Sequence, residues 1–339
     1  MMVAVMADLI AGERVKRNLT GISPRAWEHP ADRAALATLK KLPGLAELIR
    51  WVVGVTTERS VRLLHLASAV RISERQFPRL NGLFIQACMR LDVSRRPELF
   101  VAQSPFLNGG VYGVKEPFVV INSALVQALD DEEMIAVLGH ELGHCCSGHA
   151  LYKTLLWLLT SVSLSAIPLG ELALRGVAAA LREWDRKSEL SADRAGLLAS
   201  QNPEACNTIL MKLAGGTDTS QMQIGEFLQQ AGDYEARNDL LDGVHKLLNL
   251  LRQPHPFPVL RLSELKVWTD SGAYQRILDG VYPRRTDGDT RPADDLREAG
   301  TNYRQSFRDN DDPLGQVANS VLDGLEGAAN KVKEIFKGQ

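Results

Sequence analysis

The sequence predicts a mainly α protein with a small antiparallel β-sheet, an α+β arrangement. Three observations predict it. Apolar residues recur at helical spacing through most of the 339 residues. One interval, residues 98–121, breaks that rhythm with three brief runs of strand-like or glycine-rich composition. The most constrained motif, His140-Glu141-Leu142-Gly143-His144, has an i, i+4 spacing that puts both imidazoles on one face of a helix.

Composition narrows the class. The formal net charge is −2 and 45% of residues are hydrophobic, enough for a sizeable core and with no basic excess to suggest a nucleic-acid partner. The four cysteines, Cys88, Cys145, Cys146 and Cys206, have no disulfide-framework spacing, which fits a reducing, cytoplasmic compartment. Met1 to Ile10 is mildly apolar, but Asp8 interrupts it, so no signal peptide is expected.

Residues 31–69 read as three helices, Ala31–Lys41, Leu45–Val53 and Arg59–Ala69, with Leu42-Pro43-Gly44 as the first break. Arg75–Leu91 is helical by its apolar positions, provided Pro78 falls in the first turn. Glu98–Ala102, Asn108–Gly113 and Pro117–Ile121 are the expected strands; a plain hairpin turn fits Asn108–Gly113 equally well. A short helix from Asn122-Ser123 to Leu129 follows. Asp130, with Glu133 three residues on, is an N-cap for the motif helix, expected to run past His149.

Thr154–Gly170 carries no charge over 17 residues but holds five Ser/Thr and Pro168. A span needs about 20 mostly apolar residues. A buried or membrane-touching helical hairpin within 154–181 is therefore expected rather than a true span. Glu171–Leu198 reads as a second long helix. Pro203–Ala214, Met222–Gln230, Tyr234–Leu251 and Val259–Trp268 follow as helices, with His255-Pro256-Phe257-Pro258 as a break. Residues 282–315 are rich in Asp, Arg, Gly and Pro and read as solvated linker. Val317–Phe336 is amphipathic, suited to docking on the body, to another chain or to a membrane surface.

The histidine pair can hold one Zn²⁺, and Glu141, next to the first ligand, can take a proton from the attacking water. Glu189 and Asp193, four apart on the second long helix, supply a candidate third ligand and a carboxylate to orient a ligating histidine. Their alternative is a solvated charged face beside Arg186, Lys187 and Arg194. The metzincin pattern is excluded, because Ser147 and Ala150 stand where it needs glycine and histidine. His149 falls about 180° round a continuous helix from His140, so it is expected to point away and to serve as a supporting or structural residue.

The ordered set H-E-L-G-H, Glu189-x-x-x-Asp193 and His255-Pro-x-x-x-x-Arg261 resembles the HtpX and CAAX-prenyl-endopeptidase family of zinc metallopeptidases, of gluzincin type and zincin-like fold. The likeness covers roughly Val70 to Trp268. It implies that His140, His144 and Glu189 bind one zinc ion per chain, that Glu141 is the catalytic base, and that Asp193 supports a ligand. It further implies that His255 and Arg261 steady the oxyanion, and that Asn108, Gly109 and Gly110 form a substrate-binding edge strand. That last match is loose, since family members usually have alanine after the asparagine. Without the resemblance, His255 and Arg261 would read as a proline-ended turn and a salt-bridging arginine.

The expected organisation is an N-terminal helical region (1–69), a metallopeptidase domain (70–270), a polar linker (271–315) and an amphipathic C-terminal helix (316–339). The expected function is zinc-dependent endoproteolysis of polypeptides, with the family suggesting protein quality control. Nothing before His140 resembles a membrane span, so a soluble or peripheral member is expected, with residues 154–181 or the C-terminal helix as the sites of any membrane contact. The alternatives are a membrane-anchored protease of the same family and a catalytically latent, chaperone-like binding module.

Overall fold

The computed structural model describes residues 16–42, 44–55, 58–161, 171–236 and 257–287. The expected C-terminal helix, most of the expected linker, much of the 234–251 helix and His255 lie outside them.

Among the described residues twelve α-helices and four strands alternate as α1 (Pro30–Leu39), α2 (Leu45–Val55), α3 (Glu58–Ser68), β1 (Ala69–Arg71), α4 (Pro78–Arg90), β2 (Glu98–Ala102), β3 (Gly109–Tyr112), β4 (Phe118–Asn122), α5 (Ser123–Ala128), α6 (Asp131–Cys146), α7 (Ala150–Ser161), α8 (Glu171–Ser200), α9 (Pro203–Gly215), α10 (Ile224–Ala236), α11 (Pro258–Asp270) and α12 (Ala273–Leu278). The mainly helical α+β class is as expected. Pro78 sits in the first turn of α4, where its missing N–H removes no helix bond.

The sheet is mixed rather than antiparallel, in the order β1-β2-β4-β3. After β2 the chain crosses to the outer edge, forms β3, and turns back so that β4 fills the gap parallel to β2. β1 pairs antiparallel with β2 where the sequence reading continues a helix to residue 69. Phe118, Val119, Val120 and Ile121 are all buried, as a central strand covered on both faces requires. Val119, Ile121, Leu99 and Val101 join the main helical core, while Phe118, Val120 and Phe100 pack with Val61 of α3 on the other face.

The motif helix α6 is the spine of the main core. Asp130 accepts the Glu133 N–H, and Glu133 returns a bond to the Asp130 N–H, the capping box the sequence signals. Met134, Ile135, Leu138 and Leu142 are fully buried, each contributing about 1.5–3 kcal/mol. The helix stops at Cys146, earlier than expected. Gly148 (φ 71°) reverses the chain, and the Trp27 indole donates to Ser147 Oγ beside it. Helix α7 then starts afresh at Ala150, so His149 lies in the turn and the helical projection that pointed it away does not hold.

Helices α6 and α8 share the most extensive contact among the described elements. The seam is made of small residues: a Cβ on Gly139 would sit 2.2 Å from Ala199 Cβ, one on Gly143 2.6 Å from Ala195 Cβ, and one on Gly196 2.7 Å from the Ala136 carbonyl oxygen. This close approach brings residues 189 and 193 of α8 against residues 140 and 144 of α6. Gly139→Ala gains about 1 kcal/mol in helix propensity. The clash outweighs that gain, with an expected net loss of about 1–3 kcal/mol in chemical denaturation. Adding Ala199→Gly is expected to recover most of it; no recovery would show that the seam is not the cause.

Tyr152, Leu155, Leu158 and Leu159 of α7 pack with Leu174, Val177, Leu181 and Trp184 of α8 and with Leu39, Leu45 and Leu48. One face of the described part of the apolar 154–181 stretch is thus packed against protein, while Thr160 and Ala179 are exposed. Among the described residues no helix is long and apolar enough to cross a membrane. Residues 271–287, read from the sequence as the start of the linker, fold onto the body. Tyr274 and Ile277 enter the main core, and Arg284 bridges to Ile22. The four cysteines are free thiols.

Candidate active site

Helix α6 delivers His140, Glu141 and His144, and α8 delivers Glu189 and Asp193. One ligand atom from each of His140, His144 and Glu189 lies within 4.8 Å of the others, a spacing that could hold a metal ion. His140 Nε2 is 3.4 Å from Glu189 Oε2, and His144 Nε2 is 3.2 Å from Glu189 Oε1.

The backs of both rings are held. His140 Nδ1 is 3.0 Å from Asp193 Oδ1. Because a carboxylate only accepts, Nδ1 carries the proton and Nε2 is left to face Glu189. His144 Nδ1 is 3.0 Å from His149 Nδ1, and His149 Nε2 is 3.2 Å from Asp32 Oδ2. By the same logic His149 donates from Nε2 and accepts at Nδ1, so His144 donates from Nδ1. Its Nε2 is buried, lies 3.2 Å from Glu189 Oε1, and meets no hydrogen-bond criterion among the described residues. Two imidazole nitrogens and a carboxylate converging in a dry interior form a donor set that fits a metal ion.

The surrounding charges agree. Burial opposes charge on His140, yet Asp193 and Glu189 raise it to about 9, so its surroundings favour a cation. Burial together with the nearby Lys153 ammonium pushes His144 well below the ordinary histidine range. Burial would raise Glu189, but Lys153 and the two histidines hold it ionised, well below the usual carboxylate range. Lys153 Nζ donates to Glu189 Oε1 at 2.8 Å and to Asp185 Oδ1 at 2.7 Å. Lys153 carried no signal in the sequence, because its place beside Glu189 comes from the packing of α7 on α8.

Arg261, on α11, donates from Nε to Asp193 Oδ2 at 2.8 Å and from Nη2 to Asp193 Oδ1 at 2.5 Å, with Nη1 3.6 Å from Glu189 Oε2. The guanidinium thus holds Asp193, and Arg261 lines the same cleft as Glu141. Burial would raise the Asp193 carboxyl, but Arg261 and His140 hold it below its ordinary value.

Glu141 is 5% exposed, and its Oε2 has no hydrogen-bond partner among the described residues. Burial pushes its carboxyl up to about 7, against the pull of His140 and Lys153. Its side chain rests on β3: a Cβ on Gly109 would lie 2.7 Å from Glu141 Oε1, so only glycine admits the carboxylate there. Asn108 Oδ1 accepts its neighbour's N–H from Gly109, and the Asn108 carbonyl accepts from the Asn122 N–H. Asn108, Gly109 and Gly110 border a cleft of about 750 Å³ that also contains His140, Glu141, His144 and Glu189. Its apolar walls include Phe106, Leu107, Val137, Ile209 and Leu213. β3 ends the strand order, so its outer edge borders this cleft.

Comparison with known proteins adds three findings. The model of peptidase family M48 matches residues 74–269. Plastoglobule-localized metallopeptidase 48, chloroplastic, of Arabidopsis thaliana is 34% identical over 265 residues, 77% of each protein. A protease HtpX homolog of Helicobacter acinonychis (strain Sheeba) is 30% identical over 67 residues, 19% of this chain and 22% of that one. No solved structure matches the chain.

Proposed function

Because the chain belongs to peptidase family M48 and is a metalloprotease, we propose that His140, His144 and Glu189 hold one zinc ion and that Glu141 is the general base of peptide hydrolysis. The observation that carries this reading is the buried His144 Nε2 lone pair facing Glu189 across 3.2 Å, with His140 Nε2 alongside. Two imidazole nitrogens and a carboxylate oxygen are the donor set of a zinc site that keeps one position open. Magnesium and calcium favour all-oxygen sets.

The chain's own residues then divide the work. The polypeptide substrate lies extended along the outer edge of β3, where Asn108, Gly109 and Gly110 offer backbone groups. The scissile carbonyl sits over the His140–His144 face. Held by His140, His144 and Glu189, zinc would supply Lewis acidity to that carbonyl and would acidify the attacking water. Glu141, with a carboxyl near neutral, takes the water's proton and passes it to the leaving amine. Asp193 holds His140 Nδ1, Arg261 holds Asp193, and Lys153 holds Glu189. His255 and Arg261 keep the oxyanion-steadying role that the resemblance implies. A part in protein quality control rests on the family resemblance of the sequence motifs alone. For location, the Arabidopsis relative is named as plastoglobule-localized and chloroplastic.

Treatment with a strong chelator is expected to bring casein cleavage to background, with recovery on adding zinc and not magnesium or calcium. Cleavage that persists at the untreated rate after metal removal would rule the reading out.

A further inference from the structure

Behind His144 the structure holds a polar chain that the proposed hydrolysis does not use. His144 Nδ1 meets His149 Nδ1 at 3.0 Å, and His149 Nε2 meets Asp32 Oδ2 at 3.2 Å. Asp32 is itself fixed by the Trp184 indole N–H on Oδ1 at 2.9 Å and by the Ser191 hydroxyl on Oδ2 at 2.6 Å. Ser191 Oγ in turn accepts the His29 backbone N–H at 2.8 Å. Asp32, His144, His149 and Trp184 are each 1% exposed and Ser191 is 0%, so water cannot stand in for any of these bonds. Asp32 belongs to α1 and lies ahead of residues 74–269, the stretch that matches the family.

We propose that Asp32, acting through His149, fixes the ring orientation and tautomer of His144, so that the segment preceding the matched domain is a working part of the metal site. The logic is one of donors and acceptors. The Asp32 carboxylate can only accept, so His149 presents its Nε2–H to it. That leaves the His149 Nδ1 lone pair facing His144, which must donate from Nδ1. His144 Nε2 is thereby left unprotonated toward Glu189 and His140. Without the Asp32 contact, a His149 that donates from Nδ1 would turn the His144 proton onto the metal side. Asp32 and His149 are therefore positioning residues. Carboxylate–imidazole support of a ligand ring is a general device for metal affinity; here a second imidazole is interposed, and the carboxylate comes from a helix outside the matched stretch.

This rests on the ligand reading given above, and one experiment separates the two. Zinc affinity of the full chain is measured by competition with a chromophoric chelator for wild type, Asp32→Asn, His149→Phe, the double variant and Leu48→Ala. The last trims the neighbouring core, where Leu48 is 0% exposed, without touching the chain. Nitrogen-15 spectra of the metal-free histidines supply the tautomer of His144. The expected result is a loss of zinc affinity of about 10–100-fold in each single variant, and a double variant no weaker than the worse single. In wild type His144 is expected to be protonated at Nδ1, and in His149→Phe as a mixture. Leu48→Ala is expected to melt earlier with affinity unchanged. If Asp32→Asn and His149→Phe melt earlier yet bind zinc as wild type does, the proposal is overturned and the ligand reading stands. If wild type binds no zinc, both fall. Should His149→Phe fail to fold, Asp32→Asn, close to isosteric, decides the matter alone.

Discussion

Replacing Glu141 by Gln is expected to lower the rate of casein cleavage by about 10²–10⁴-fold, the range for loss of a positioned general base. The zinc content should stay at that of wild type. Glutamine preserves the volume packed against Gly109 and the hydrogen-bonding oxygen, but has no basic site to receive a proton. The distinction matters because Glu141 lies between two proposed ligands in sequence yet faces β3. If it were a ligand instead, the same substitution would release the metal along with the activity. Rate assays and elemental analysis on one preparation tell the two apart. A variant that keeps both zinc and full activity would remove Glu141 from the mechanism.

The second large effect falls on stability. Arg261→Leu strips two hydrogen bonds from Asp193 and leaves a carboxylate 9% exposed with His140 as its remaining partner among the described residues. Breaking a buried pair from one side costs about 3–5 kcal/mol, a large part of the 5–15 kcal/mol that holds an ordinary domain together. Urea unfolding is the check. Adding Asp193→Asn is expected to return part of the loss, because the amide no longer buries an uncompensated charge. A cost below about 1 kcal/mol would put this pair with exposed salt bridges and contradict the supporting role read from the geometry.

What was legible in the sequence follows from where the information sits. His140 and His144, and separately Glu189 and Asp193, are pairs four apart on one helix, so a local period alone places each pair on one face. The capping box at Asp130 and Glu133 and the proline start of α4 are also local, and the structure has both. The meeting of the two helices is not local, yet it has a trace in the chain: Gly139, Gly143 and Gly196 with Ala192, Ala195 and Ala199 are small residues at helical spacing. They mark a close seam once the partner helix is known.

Other features left no such trace. The parallel pairing of β2 and β4 depends on residues 103–108 carrying the chain past β4's place to the outer edge, which periodicity does not encode. β1 has three residues, too few for any pattern to separate from the helix before it. His149 was misplaced because the helix was extended through Gly148, whose positive φ ends it and swings His149 back to His144. Lys153 and Asp32 reach the site from α7 and α1 through packing alone, and in sequence each is an unremarkable charged residue on a helix.

The most direct measurement is zinc per chain in wild type and in Glu189→Leu, purified gently without chelators. Glu189 lies between the two histidines in space and far from them in sequence, so it links the motif helix to the rest of the site. About one zinc per wild-type chain and close to none in Glu189→Leu, with both proteins folded, is the predicted result. Equal zinc in the two proteins, or a wild-type chain that cleaves casein without zinc, would contradict the account.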